Sequence, residues 1–79
     1  MNKHIYVKEA VHNAARALRD DLDGAYRADS DLANSNREIA IRNGHQQAAA
    51  FWAEVVKFCK VKERLGPGLI LHIEPYPLG

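Results

Sequence analysis

Apolar residues mark out three helix-like stretches and one extended run. From Ile5 to Asp23, the residues Val7, Val11, Ala14, Ala15, Leu18 and Leu22 recur at steps of three and four. That spacing lines one side of a helix. Lys8, Asn13, Arg16, Arg19 and Asp20 fall mostly off the stripe. The pattern predicts a first helix over about 5–23. Gly24 follows, at a point where a helix can stop on a residue with positive φ. Asp20, Asp21 and Asp23 place negative charge at the negative end of that helix. Each costs about a few tenths of a kcal/mol. The helix is therefore expected either to fray early or to run through Gly24.

Residues 25–43 carry a weaker pattern. Asp29, Ser30 and Asp31 are candidate N-caps for a helix holding Leu32, Ala33, Ile39 and Ala40. Ser35-Asn36-Arg37-Glu38 offers a competing start, because serine and glutamate three apart form a capping box. In that second reading 24–34 is a loop. The earlier start is preferred and gives a helix over about 31–42.

Asn43-Gly44 is a turn signal. After it, Ala48, Phe51, Trp52, Val55, Val56, Phe58 and Cys59 form a wide apolar face over about 45–64. This is the richest hydrophobic stretch and the expected centre of the core. One unbroken helix from Ser35 to Arg64 is the weaker alternative, since an internal glycine costs about 1 kcal/mol against alanine. Gly66-Pro67-Gly68 ends the helix. Leu69 to Glu74 and then Pro75-Tyr76-Pro77 read as an extended apolar tail over about 69–77. The tail needs a surface to cover, in its own chain or in a neighbour. Ile5-Tyr6-Val7 offers a second short strand to pair with it, although a two-stranded ribbon is marginal without helix packing.

The resulting expectation is an all-α fold. It is one small three-helix domain with an extended C-terminal tail, its core built from Val11, Leu18, Leu22, Leu32, Ile39, Trp52, Val55 and Cys59. Seventy-nine residues allow one such domain and little wall for a deep catalytic cleft. With 47% hydrophobic and 27% charged residues the chain is not a disordered tail. A small core supplies few kcal/mol alone. A homodimer, formed through the last helix or the tail, is therefore expected.

Charge and chemistry narrow the functional classes. A net charge of +1 argues against a strongly basic nucleic-acid coat. The start of the chain lacks an apolar signal region and a glycine at position 2. With one cysteine and no apolar stretch of membrane-spanning length, a cytoplasmic location is expected. Asp21, Asp23 and Gly24 suggest a calcium loop, but the register would put Arg19 first and Ser30 twelfth, where carboxylates are needed. The acids from Asp20 to Asp31 read as a solvated segment. His4, His12, His45 and His72 stand too far apart for a helical metal pair. Nothing in the sequence supports a nonlocal set such as His45, Cys59 and His72. No metal and no cofactor is expected.

Cys59 shares a face with Trp52 and Val55, which predicts a buried, inert thiol rather than a nucleophile. Lys57, Lys60, Lys62 and Arg64 complement the negative end of the last helix. Phe51 and Trp52 are adjacent, so they point about 100° apart on a helix. Either that helix is buried on two sides or one ring meets a partner. The plain version places one ring on the first helix and the other under the tail.

The stretch from Ala40 to Val56, with Asn43-Gly44 followed by Ala48-Ala49-Ala50-Phe51-Trp52, resembles small uncharacterised helical proteins of alphaproteobacterial type. It is also similar to the helical hairpin of tetratricopeptide repeats, with Gly44 at the turn and Ala49 at the close helix contact. The resemblance covers under a third of the chain. It implies a helical hairpin and no catalytic residue.

The leading functional expectation is a non-enzymatic protein-binding module that docks on a partner protein. Its size suits a phage-encoded inhibitor of a host defence complex, such as an anti-CRISPR. Tyr26, Arg27, Arg37 and Arg42, with Phe51 and Trp52, are the expected contacts. The alternative is a helix-turn-helix-like DNA-binding regulator using Arg42, His45, Gln46, Gln47, Lys57 and Lys60.

Overall fold

A computed structural model describes residues 3–75. The chain runs β1 (Lys3–Lys8), α1 (Glu9–Asp20), α2 (Asp29–Arg42), α3 (Gln46–Leu65) and β2 (Leu69–Glu74). Short 3-10 turns lie at Asp23–Ala25 and Gly66–Gly68. The two strands pair in parallel, from Lys3 opposite Leu69 to Lys8 opposite Glu74. The fold is thus mixed α/β and dominated by helix, which corrects the all-α expectation. Tyr76 and Pro77 of the expected tail lie outside the described residues.

The strand at the start explains the correction. Ile5, Tyr6 and Val7 are β-branched or aromatic and suit a pleated surface. Their alternation leaves His4, Tyr6 and Lys8 exposed while Val7 is buried and Ile5 half-buried. Val7 fits the helical stripe as well as it fits this alternation. Only β2, far along the chain, decides between them. Lys8 is still extended, and α1 starts directly at Glu9, whose charge suits the first turn.

At its other end α1 stops at Asp20, with Asp21 extended. It neither reaches residue 23 nor runs through Gly24. Leu22 therefore leaves the stripe and is 80% exposed, not in the core. Gly24 is buried but has no positive φ. What it needs is space. A Cβ there would overlap the Leu18 carbonyl oxygen and lie 3.0 Å from that of Arg19. Gly24→Ala is expected to lower unfolding free energy by about 1–3 kcal/mol, read from urea denaturation. An unchanged midpoint would show that the turn yields freely.

α2 begins at Asp29, two residues before the expected start, and Ser35 lies inside it. Asp29 and Asp31 suit its first turn, although no side chain caps it. At the far end the Gly44 N–H donates to the Ile41 carbonyl and the His45 N–H to that of Ala40. Gly44 has φ 76°. These two bonds and that angle form a Schellman stop. At the opposite end the Ser30 hydroxyl donates to both Glu63 oxygens, at 2.9 and 3.2 Å. α2 and α3 therefore lie side by side as an antiparallel hairpin.

The core joins Val7, Val11, Ala15, Leu18, Leu32, Ala33, Val55, Phe58 and Cys59. Trp52 packs at its margin, half-buried. Ile39 is 50% exposed and not part of it; its neighbour Ala40 is buried instead. The molecule is a plate, 40 × 39 × 19 Å. Its thickness is about two layers at ordinary helix spacing. The sheet leans on α1 and meets α3 only sparingly.

Candidate docking site

That sparing contact leaves a trough between the sheet and α3. Along α3, Gln47, Ala50 with Phe51, Glu54, Lys57 with Phe58, and Val61 recur once per turn, so they form a single stripe. The opposite wall comes from β1 and the start of α1. Two adjoining hollows of about 690 and 340 Å³ result, sharing Lys8, Val11 and Glu54. The floor is apolar, with Val11, Phe51, Phe58, Ile5 and Val61. The rim is charged with both signs, from Lys8, Glu9, Glu54, Lys57 and Glu74.

Phe51 and Trp52 are both half-buried and meet edge to face, 5.5 Å between centroids. Phe51 lines the larger hollow. Tyr26 is 84% exposed and belongs to the α1–α2 connection. Arg27 is exposed beside it and donates to the Ser35 hydroxyl at 3.0 Å. The Arg37 Nε donates to Asn34 Oδ1 at 3.1 Å, on the surface of α2. Arg42 is exposed at the end of that helix. None of these four lines the trough.

The nucleic-acid set is spread differently. Arg42, His45, Gln46 and Gln47 are exposed around the α2–α3 turn. Lys57 faces the smaller hollow, and Lys60 is exposed farther along α3. The helices run side by side, whereas a helix-turn-helix reader crosses its helices at about 90–120°.

Beside the trough a charged cluster joins all three helices through Arg19, Asp29 and Lys62. Asp29 is 4% exposed. Arg19 Nε lies 3.2 Å from its Oδ1 and Lys62 Nζ 3.8 Å from its Oδ2. The Oδ1 has no aligned hydrogen-bond donor, so Arg19 serves as a counter-charge only. Lys62 also sits over the Phe58 ring, 5.0 Å from its centre, where a cation is attracted to the π face. Close by, burial pushes the Cys59 thiol pKa up, against the opposing pull of Lys62. The thiol is fully buried, and that burial disfavours the thiolate a nucleophile needs.

His12 is half-buried, and its Nδ1 has no partner. Burial lowers its pKa first, and the Arg16 and Lys62 charges add to the effect against Glu9. The fold thus prefers the neutral ring. Below the ordinary imidazole range of about 6.5 the unfolded chain takes up this proton first. His12 therefore contributes stability that is present above that range and lost as pH falls toward its lower folded value. Between pH 7.5 and 5 the native protein is expected to lose more stability than His12→Gln. Urea midpoints that fall in parallel would disprove this.

Among the described residues no three His, Cys, Asp or Glu side chains converge as a metal cage. No helix there is long and apolar enough to cross a membrane. No known protein family matches the chain, and neither a curated protein nor a solved structure is similar to it.

Proposed function

We propose that the chain is a non-enzymatic protein-binding module and that the trough is its docking face. One observation carries this: an apolar trough of Ile5, Phe51 and Val61, over the buried Val11 and Phe58, lies inside a rim of mixed charge. An apolar centre with a polar rim is the anatomy of a protein interface. Aromatic anchors at such a centre supply most of the binding energy. The rim offers both Lys8 and Lys57 and both Glu54 and Glu74. A second copy turned about a two-fold axis can therefore meet each charge with its opposite.

Self-association is tested first. Light scattering at about 100 µM, well above micromolar Kd values, is expected to give a dimer mass for the native chain. Phe51→Glu should give a monomer with unchanged helical circular dichroism. A native monomer under these conditions removes the homodimer. Inhibition of a host defence complex is the narrower proposal, supported by the chain's size. Expression in cells that clear phage by CRISPR immunity should restore plaques, and Phe51→Glu should abolish the effect. No restoration across a panel of such hosts removes that role.

A further inference from the structure

The outer face of the sheet holds a second feature, which meets the trough only at Tyr6. Tyr6 pairs in register with His72, and His4 lies two strand pairs earlier and so on the same face. The fold therefore brings together two histidines at opposite ends of the sequence. His4 Nδ1 and His72 Nε2 are 2.9 Å apart. Their ring planes differ by 24°. The Tyr6 ring stacks on His72 at 4.6 Å, 16° from parallel. His4 is exposed and His72 half-buried, so the pair lies at the surface. Neither histidine lines the trough.

The geometry points to a two-histidine site for a divalent transition-metal ion that prefers right-angled ligands, Cu²⁺ or Ni²⁺. The present spacing is that of the hydrogen bond between the rings, so the choice of ion rests on the imidazole donors and on the small change in separation a right-angled pair needs. At metal–nitrogen distances of about 2.0–2.1 Å, two nitrogens at a right angle stand about 2.9 Å apart. In a tetrahedron they stand about 3.3–3.4 Å apart. Imidazole suits copper and nickel, and tetragonal geometry is typical of Cu²⁺ and Ni²⁺. Without metal, one ring donates its N–H to the other. Binding moves that proton to the far nitrogen of the same ring, leaving a lone pair on each facing nitrogen. Each ring then turns by about 45°, because a hydrogen bond points the nitrogens at each other and a right-angled pair points both at the ion, and water fills its other positions. The ion joins the first strand to the last, so it binds the folded state and raises the melting temperature.

The untagged full chain is titrated with CuCl₂ by calorimetry and examined by electron paramagnetic resonance. We expect one ion per chain and two nitrogens on the copper. His4→Ala and His72→Ala should each weaken binding by at least about tenfold and remove the rise in Tm. His45→Ala, at the exposed turn, should change neither. The native-protein spectrum does not depend on any variant folding. Fewer than two nitrogens in it overturns the site. So does binding that survives His72→Ala at full strength, or that is lost with His45→Ala.

Discussion

Phe58→Ala is expected to remove about 3–5 kcal/mol of stability. Phe58 is 7% exposed and lies where α3, α1 and β1 meet. Its ring lies 6.3 Å from that of His12 and carries the Lys62 ammonium over its face. It also walls the smaller hollow with Ile5, Val7 and Val11. Truncation opens that hollow into the core, and the neighbours cannot close over it without moving the sheet. A chain of 79 residues has a total stability of about 4–12 kcal/mol. The variant should therefore lose at least about a quarter of that stability, with Tm lowered by at least about 12 °C. Phe51→Ala, at a half-buried position, should cost far less. Equal losses at the two positions would mean that the trough wall, not the core, carries the stability.

The second large effect concerns Asp29. Arg19→Ala combined with Lys62→Met leaves its carboxylate buried without a cation. Breaking a buried pair in this way costs about 3–5 kcal/mol. The triple variant that adds Asp29→Leu should recover most of that loss, because an apolar side chain of similar size removes the stranded charge. Asp29→Ala alone should cost about 1–3 kcal/mol. Its cations can rehydrate, since the Arg19 and Lys62 side chains are 65% and 31% exposed. Chemical denaturation of the four proteins forms the test. A triple variant no more stable than the double would show that the carboxylate itself holds the helices together.

The helices were legible to different degrees. α3 stood out because Val55, Phe58 and Cys59 at helical spacing leave no other reading, and all three are buried. The Gly66 break was clear and the Gly44 break less so, since an unbroken helix stood as the weaker alternative there; both glycines have positive φ. The strand at Lys3–Lys8 was legible only as a possibility. Its short apolar run fits two periods, and its partner lies 66 positions away at Leu69. Leu22 and Ile39 were misread for one reason. A periodic pattern says which residues share a face, not where the helix ends or which face is covered. Gly24 was seen as a helix stop, but what it serves is close approach to the end of α1.

The sites were less legible still. The trough needs β1, α1 and α3 placed together, and Val11, Glu54, Phe58 and Val61 carry no local sign of lining a hollow. The helical phase of Phe51 and Trp52 was the one available signal, and Phe51 does face the trough. His4 and His72 were read as isolated because spacing along the chain cannot show a pairing across a sheet.

The parallel union of β1 with β2 also orders the folding process. The α2–α3 hairpin closes over a three-residue turn and can form as soon as both helices are made. The sheet must wait, because closing so long a loop costs entropy before any strand contact repays it. During synthesis the first strand leaves the ribosome well before its partner exists. It spends that interval as an unpaired apolar edge. Strand pairing should be the last native step, and hydrogen exchange should find those amides the first to open.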